Sequence, residues 1–411
     1  MKRFPYAWTL LFVMFVAYFL KLGTRNVFGA VLPNIQTSFG ATSAQIGVVG
    51  TVFTVAFGLL APFSGIISDR YSRKWVVVFS IAINSLGIFL TGFSGSILTL
   101  ALYYGIFVAM GQPFFYPPAA SLLSQHCRES KATAISVLQM GLYAGIIICS
   151  FTGGYFADLG AERWRDAFLI LGGIGLAWAL VSALVVKDTP QEDFGAERAE
   201  VARPTMLECV KAVVSKRSAI MYTLYYGLMI FVFIGFSTWT PTLLKDKFPG
   251  LTMTSAATHA VLWHYVGAAL GVMVGCRIGD RLVAKRPAIR LELSVVGVSG
   301  SIPALILLVK APSLSVASVA LFAYGVFRGF FDSNMFVGLI EVIKPRFRAS
   351  ALGLTEGAAY VFGGLAPWGL GLIRERFSME TGFVLFAVCY ALAIVLILIS
   401  RKFFYHHDYE G

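Results

Sequence analysis

Five side chains that are charged at neutral pH lie inside long apolar segments of this sequence. They are Lys21, Arg25, Arg328, Asp332 and Glu356. A charge at the centre of a membrane helix costs about 2.5 to 3.5 kcal/mol, so residues of this kind usually mark the path of a solute or an ion. The chemistry that they offer is the binding of an anion by cations and the uptake of a proton by carboxylates.

The two cations Lys21 and Arg25 are four residues apart in the first apolar segment. Positions i and i+4 share one face of a helix, and two like charges side by side require an anion between or near them. That anion is either a protein carboxylate or the carboxylate or phosphate of a solute. We predict that both residues are solute receptors, the guanidinium as a bidentate donor and the ammonium as a point charge.

The pair Arg328 and Asp332 has the same spacing, so the two side chains can neutralise each other on one helix face. The pair is either a static structural pair or a working pair that takes part in transport. In a working pair, protonation of Asp332 releases Arg328 and so links proton binding to the affinity for an anion.

The carboxyl group of Glu356 stands alone in an apolar segment. Desolvation disfavours the ionised form of a carboxyl group, so we predict that Glu356 carries a coupling proton. The alternative is a pairing with a Lys or Arg near the cytoplasmic surface.

Polar and aromatic side chains at mid-depth are further candidates for contact with a solute. They supply hydrogen bonds and ring faces, although aromatic residues in such segments also serve in packing. The predicted binding residues of this group are Tyr18, Gln139, Tyr143, Tyr225, His264 and Tyr360.

Composition predicts the elements that carry these residues. The sequence is 57% hydrophobic and 13% charged, and apolar runs of about 20 residues recur along it, which is typical of an all-α integral membrane protein. We predict twelve transmembrane helices, at roughly 5–32, 44–68, 75–97, 100–124, 132–157, 166–187, 218–243, 254–276, 289–310, 314–341, 349–371 and 379–400. Pro113, Pro117 and Pro118 are expected to bend the fourth.

The net charge of +12 comes from cations whose distribution along the chain indicates the topology. With the N-terminus inside, 23 of the 33 Lys and Arg residues fall on the inner side and seven on the outer side, and three lie within the membrane. The positive-inside rule therefore predicts a multi-pass plasma (inner) membrane protein with both termini in the cytoplasm. A basic inner surface suits anionic lipid headgroups, and we expect no nucleic-acid partner.

Enzymatic and cofactor chemistry is not indicated. The five cysteines are widely spaced and odd in number, so neither a metal site nor a disulfide framework is predicted. The sequence has no phosphate-binding loop of the ATP-driven pumps. We expect a monomer that is not an enzyme and that binds no metal or other cofactor.

The chain divides into two similar halves. A polar stretch at 188–217 reads as a cytoplasmic linker between an N-terminal bundle, 1–187, and a C-terminal bundle, 218–411. Asp69-Arg70 and Asp280-Arg281 follow corresponding helices, and a second match pairs Gln139 with Glu356 at an offset of 217 residues. Six helices per repeat give both halves the same orientation, so the solute path is expected between them.

The loop after the second helix carries a resemblance to a known family. Gly65-Ile-Ile-Ser-Asp69-Arg70-Tyr-Ser-Arg73-Lys74 resembles the G-x-x-x-D-R-x-x-R-K loop of the major facilitator superfamily, with a degenerate copy at Asp280 and Arg281. The resemblance implies two six-helix bundles that transport by alternating access. A carboxylate at Asp69 facing the helix that begins near Arg348 would stabilise a closed inner gate. The predicted gating residues are Gly65, Asp69, Arg70, Arg73, Asp280 and Arg281.

The first helix is similar to one branch of that superfamily, the anion:cation symporters, which carry sugar acids and other organic anions. The matching residues are Tyr18, Arg25-Asn26 and Pro33, followed by Ile46-Gly47. That branch often has Asp before the Arg, whereas Thr24 stands there in this sequence. Organic-phosphate antiporters also use a cation in the seventh helix, which here has none.

The predicted function is therefore secondary active transport of a small organic anion, of the carboxylate or sugar-acid type, coupled to protons, with sodium as the alternative coupling ion. In this prediction Lys21 and Arg25 bind the solute, and Arg328, Asp332 and Glu356 couple it to the ion. The alternatives are an efflux carrier for drugs, lipids or metabolites and an organic-phosphate antiporter.

Overall fold

The computed structural model describes residues 6–127, 130–187, 206–283, 289–334, 339, 342–344 and 347–408. Every regular element in these ranges is helical. The twelve predicted segments correspond to α1 Tyr6–Phe39, α2 Ser43–Arg70, α3 Arg73–Thr91, α4 Ile97–His126, α5 Lys131–Leu159, α6 Trp164–Val185, α7 Arg217–Lys247, α8 Met253–Leu282, α9 Ile289–Lys310, α10 Leu314–Asp332, α11 (Arg348–Gly363 and Ala366–Arg376) and α12 Met379–Ile399.

Eleven of these helices in the described residues are long and apolar enough to cross a membrane. The remaining one, α11, is interrupted after Gly363 and resumes at Ala366, so neither part reaches the necessary length. The predicted all-α membrane architecture is confirmed. The first helix is longer than predicted, because it continues through Pro33 to Phe39.

Short polar side chains fix where several helices begin. Thr42 and Gln45 form a capping box at the start of α2, in which each side chain accepts a hydrogen bond from the other residue's backbone N–H. Ser313 caps α10, and Ser378 caps α12. A side-chain oxygen at this position satisfies an N–H group that has no partner within the helix.

The fourth helix is broken, as its prolines predict. Its first part ends at Gly111 and its second part begins at Tyr116, followed directly by Pro117 and Pro118. Proline lacks an N–H donor, so a helix cannot continue its hydrogen-bond ladder through Pro113. The break leaves the Gly111 carbonyl oxygen available to other donors, which becomes important for Lys21.

The chain forms two compact units. Unit 1 comprises 1–202 and 252–258, and unit 2 comprises 203–251 and 259–411. Unit 1 thus includes the first turns of α8, where the Asp158 carboxylate accepts hydrogen bonds from the backbone N–H groups of Met253 and Thr254. In the predicted linker, residues 188–205 lie outside the described residues, and Met206–Val214 forms a short helix.

Glycines set the distance between α1 and α5 in unit 1. A methyl group on Gly141 would lie 2.8 Å from the Phe15 carbonyl oxygen, and one on Gly145 would overlap the Phe19 carbonyl oxygen. Small residues at such positions allow two membrane helices to approach until their backbones touch. This packing fixes the position of α1 just before Arg25.

Glycines also allow close packing of α8 against α10 in unit 2. A methyl group on Gly325 would overlap the backbone carbonyl of His264, and one on Gly329 would lie 2.5 Å from that of Ala268. The backbones of the two helices are therefore in contact. This contact places His264 beside the segment that carries Arg328.

The C-terminal residues dock on the start of α7. The Asp408 carboxylate accepts hydrogen bonds from the Ser218 backbone N–H (2.9 Å) and hydroxyl (2.6 Å). Burial alone would raise the pKa of Asp408, but the hydrogen bonds from Ser218 outweigh it and hold the pKa below its usual value. The carboxylate therefore serves as a helix cap supplied from a distant part of the chain.

Gly145→Ala should destabilise unit 1. The added methyl group overlaps the Phe19 carbonyl, and overpacking of this kind costs about 1 to 3 kcal/mol. Gly173→Ala is the matched control, because its methyl group would meet no atom closer than 4.0 Å. Thermal unfolding in detergent should show a lower midpoint for Gly145→Ala only, and equal midpoints for the two variants would contradict the packing.

Asp408→Asn should lower the free energy of unfolding by about 1 kcal/mol near neutral pH, since it removes a charged cap. The pKa of the folded-state carboxyl lies below its unfolded value of about 3.9. The stabilisation is therefore present above that value and is lost as the pH falls through the folded-state pKa. Thermal unfolding of both proteins across this range measures it, and a stability difference that persists at the acid end would count against the cap.

Candidate functional site

The structure directs the Lys21 side chain into the interior of unit 1. Lys21 is only 1% exposed, and its ammonium group donates to the Gly111 carbonyl oxygen (2.6 Å), to the Ser80 carbonyl oxygen (3.2 Å) and to the Ser80 hydroxyl. An ammonium group has three N–H donors, so these three acceptors match all of them. Lys21 therefore has no donor left for a solute in this structure.

The helix end beside Lys21 explains how a cation can be buried in this segment. Its ammonium group meets the carbonyl end of the first part of α4, and cations are favoured at helix C-termini. The Gln112 side chain reinforces the link, since it donates to the Lys21 carbonyl oxygen (3.0 Å) and to Asn84 Oδ1 (2.9 Å). Lys21 thus ties α1 to the break in α4.

The Arg25 guanidinium has different surroundings. It is partly buried and stacks on the Phe53 ring of α2, with 4.8 Å between the guanidinium carbon and the ring centroid. In the described part of the chain it has no carboxylate partner. The Tyr104 hydroxyl donates to the Arg25 carbonyl oxygen (2.9 Å) and so fixes the backbone at this turn. The spacing predicts Lys21 and Arg25 on one helix face, and the structure gives their charged groups different protein partners.

Three other predicted binding residues belong to unit 1. The Gln139 amide oxygen on α5 is buried and has no hydrogen-bond partner among the described residues. Tyr18 stacks on Phe115, with 5.5 Å between ring centroids. Phe115 directly precedes the second part of α4, so Tyr18 contacts the broken region of that helix. Tyr143 is partly buried on α5, one turn from Gln139. Of these three side chains, Gln139 is thus the one with a buried polar atom that has no partner in the described part of the chain.

In unit 2, Arg328 and Asp332 form the predicted ion pair. Arg328 Nε lies 3.1 Å from Asp332 Oδ2, and the two side chains are 11% and 33% exposed. The guanidinium also lies over the Phe233 ring of α7, at 3.8 Å from the ring centroid. Arg328 Nη1 is buried without a hydrogen-bond partner in the described residues. The pair therefore uses only one edge of the guanidinium.

Glu356 has no ion pair within the described ranges, so the predicted alternative of a Lys or Arg partner is not seen there. Its carboxyl group interacts electrostatically with Tyr222 and Tyr226 of α7. Tyr226 also interacts with Asp332 and Arg328. Tyr226 is therefore within electrostatic range of both acids that the sequence assigns to coupling, a relation that spacing along the chain does not reveal.

His264 belongs to the same region of unit 2. It is 4% exposed, stacks on Tyr324 with 5.3 Å between ring centroids, and interacts electrostatically with Arg328. The Tyr324 and Tyr390 hydroxyl groups lie 2.8 Å apart. Sequence analysis missed Tyr324 and Tyr390, although Tyr324 stands four residues before Arg328 and so on the same helix face.

The remaining predicted binding residues of unit 2 differ in their surroundings. Tyr225 is 1% exposed and packs edge-on against Tyr222 and Phe331, which indicates a role in the core. Tyr360 of α11 is partly buried and interacts with Tyr226.

The predicted gating residues lie at helix ends. Asp280 pairs with Arg290 (3.2 Å), Arg70 and Arg281 are exposed, and Arg73 opens α3. Gly65 and Asp69 belong to α2, and the Asp69 side chain lies outside the described part of the structure. The contact predicted for Asp69 stays a prediction.

The described residues contain no cluster of three or more His, Cys, Asp or Glu side chains that could hold a metal ion, and their cysteines are free. Within unit 2 the structure brings together an arginine, two carboxyl groups, a histidine and tyrosine hydroxyls. Such groups can bind an oxyanion and take up or release protons.

Comparison with known proteins places this chain among transporters. A profile of the Major Facilitator Superfamily matches residues 14–289. The "Probable anion transporter 4, chloroplastic" of Oryza sativa subsp. japonica is 24% identical over 414 residues, covering 96% of this chain and 68% of the relative. A probable sulfoacetate transporter of Cupriavidus necator is 24% identical over 388 residues, covering 89% of this chain and 86% of the relative.

A solved structure shows the same fold. It is a bacterial homolog of the human lysosomal transporter Spinster, in an inward-facing and unoccupied conformation. It aligns with a TM-score of 0.82 at 21% identity, over 99% of this chain and 99% of that chain.

Lys21→Met tests whether Lys21 supports the fold or contacts the solute. Loss of a partner for a buried polar atom costs about 1 to 3 kcal/mol. Because the Ser80 hydroxyl still donates to the Gly111 carbonyl (2.7 Å), we expect the lower end of that range. Thermal unfolding with and without acetate, malonate, gluconate and methanesulfonate should show reduced stability but an unchanged shift on anion binding. Loss of that shift, as expected for Arg25→Met, would show that Lys21 contacts the solute.

Proposed function

This chain belongs to the Major Facilitator Superfamily, and on that premise we propose that it moves a small organic anion across a membrane by secondary active transport. Members of this family are transporters and not enzymes. The proposed solute carries a carboxylate or a related acidic group, as sugar acids do. Alternating access between two states is the proposed mechanism.

The observation that carries this proposal is the state of Arg25. It is a cation in an apolar span, it is partly accessible, and within the described residues it has no carboxylate partner. A charge in a membrane span is costly, so one without a protein counter-ion indicates an external anion. The Arg25 guanidinium lies over the Phe53 ring, and a guanidinium is a group that can bind a carboxylate in a bidentate manner.

The relatives support the same class of solute. A probable anion transporter and a probable sulfoacetate transporter match most of this chain. Both are 24% identical to it, and both of their names indicate an anion as the class of solute. Gln139, Tyr18, Tyr143, Tyr360 and His264 are proposed as further solute contacts.

Proton coupling is proposed for the carboxyl groups of unit 2. Asp332 holds one edge of Arg328, and Glu356 has no ion pair in the part of the chain that the structure describes. Tyr226 interacts with both acids. A proton on Asp332 would weaken its hold on Arg328, and Glu356 is proposed as the other carboxyl group that takes up a coupling proton.

Lys21 has a positioning role in this proposal. Its three donors are occupied by Ser80 and Gly111, so it fixes the turn of α1 from which Arg25 projects. The gating residues are proposed to bias the closing of the cytoplasmic side. They are Gly65, Asp69, Arg70, Arg73, Asp280 and Arg281. We further propose a monomer in the plasma membrane with both termini in the cytoplasm, as the distribution of cations predicts.

Uptake by proteoliposomes under an imposed proton gradient tests the proposal. A hydrogen bond to a charged group contributes about 1.5 to 3 kcal/mol, so Arg25→Met should reduce uptake of the preferred anion by about 10- to 150-fold. Glu356→Gln should retain exchange of anion but lose the acceleration by the proton gradient. Arg163→Met and Glu380→Gln are controls, since both side chains are exposed. Wild-type rates and gradient dependence in both test variants would refute the proposed function.

A further inference from the structure

A groove between α8 and α10 opens on the surface of unit 2. Its volume of about 460 Å³ is within the range of about 300 to 1,000 Å³ of small-molecule sites. Most of its lining is apolar, and polar groups stand at one end. The lining includes His259, Trp263, Leu314, Ser318, Val319 and Phe322. This combination suits an elongated molecule with an apolar body and a polar end.

The groove lies on an apolar surface of two membrane-spanning helices. Val319 of α10 is 62% exposed, and Trp263 begins a row of exposed apolar side chains on α8 that continues with Val266, Leu270 and Met273. Residues three and four apart share one face of a helix, so the row forms a continuous apolar strip. A large exposed apolar patch on a spanning segment is a surface for lipid. A lipid chain is therefore the molecule available to fill the groove.

The groove is separate from the ion pair of unit 2. Nine residues, or about two and a half turns, separate Val319 from Arg328, so the two project from opposite faces of α10. Within the described part of the chain, neither Arg328 nor Asp332 lines the groove. An occupant of the groove therefore does not take a place beside the proposed coupling residues.

His259 supplies an unused hydrogen-bond donor at the polar end of the groove. The Trp263 indole N–H donates to His259 Nδ1 (3.1 Å), and the Ser318 hydroxyl lies 2.8 Å from the same nitrogen. An indole N–H is a donor only, so Nδ1 accepts and the ring hydrogen of the neutral imidazole is on Nε2. Among the described residues Nε2 has no hydrogen-bond partner. An N–H group without an acceptor costs free energy in an apolar medium, so an oxygen atom is expected beside it.

The depth of His259 in the membrane indicates which oxygen atom this is. α8 has 30 residues and is therefore about 45 Å long, which matches the ~40 to 45 Å of a bilayer with its headgroup layers. The hydrocarbon core is about 30 Å thick, so each polar layer is about 5 to 8 Å thick. His259 follows Met253, the first residue of α8, by about 9 Å along the helix. It therefore lies close to the boundary of the hydrocarbon, where the ester carbonyl groups of glycerophospholipids are.

We propose that this groove binds one acyl chain of a diacyl glycerophospholipid and that His259 Nε2–H donates to the ester carbonyl oxygen of that chain. The chain lies against Trp263, Val319 and Phe322. The carbonyl oxygen carries a partial negative charge and has no hydrogen of its own, so it complements the N–H group. The site belongs to the membrane-facing surface and goes beyond the proposed transport of an anion.

The test is a lipid titration of the full chain in detergent, followed by native mass spectrometry. The probes are the ester-linked and ether-linked forms of diphytanoyl phosphatidylcholine, which share chains and headgroup and differ in the carbonyl groups. The wild type should bind the ester form about two- to tenfold more tightly than the ether form, as one neutral hydrogen bond predicts.

Substitutions separate the hydrogen bond from the apolar contact. His259→Leu should bind the two forms equally, because it removes the donor. Val319→Trp should weaken the binding of both forms by about tenfold, because the larger side chain fills the groove. Val388→Trp is the matched control, since Val388 of α12 is 51% exposed and lies outside the groove. Ser318→Ala should keep the preference for the ester form, because it leaves the His259 imidazole in place.

Three results would overturn the site. They are equal affinity of the wild type for the two forms, an ester preference that persists in His259→Leu, and equal lipid binding by Val319→Trp and Val388→Trp. The last result would mean that lipid is held only in the general layer around the protein. The proposed function is tested separately, because Arg25→Met should leave the affinity for both lipid forms unchanged.

Discussion

The structure depends on how charged groups are compensated in an apolar medium. A charge within a membrane span is tolerated when protein or solute atoms replace the water that it loses. Among the described residues, the charged groups differ in how many protein atoms compensate their charge. Lys21 has three oxygen acceptors, Arg328 has one carboxylate on one edge, and Arg25 has an aromatic ring but no counter-ion. Groups that are fully compensated support the fold, and groups with unused donors remain available for a ligand.

Backbone contacts determine which charges meet. Gly145 brings α5 onto α1 just before the turn that carries Arg25, and Gly325 brings α8 onto α10 just before Arg328. A membrane offers no hydrophobic drive for helix association, so close packing of small residues has to supply it. The glycines therefore belong to the functional arrangement in each unit, although none of them has a polar side chain.

Sequence reasoning predicted the helices and the local pair well, because both depend on short-range patterns. Apolar runs predicted the spans, and the four-residue spacing of Arg328 and Asp332 predicted an ion pair that the structure contains. The same spacing suggested that Lys21 and Arg25 act side by side. The structure gives the two cations different protein partners, and the break in α4 offers a carbonyl group that the long Lys21 side chain can reach.

What the sequence could not provide are the contacts between distant segments. His264 and Tyr324 are 60 residues apart, and Tyr226 precedes Glu356 by 130. Only the packing of α7, α8, α10 and α11 brings them together, and a single sequence carries no signal of it.

The central claim that follows is that anion binding and proton binding are linked. Titration calorimetry of a bound organic anion in two buffers of different ionisation enthalpy measures that linkage directly. Proton uptake with anion binding, lost in Asp332→Asn or Glu356→Gln, is the predicted result, and equal heats in both buffers would contradict it.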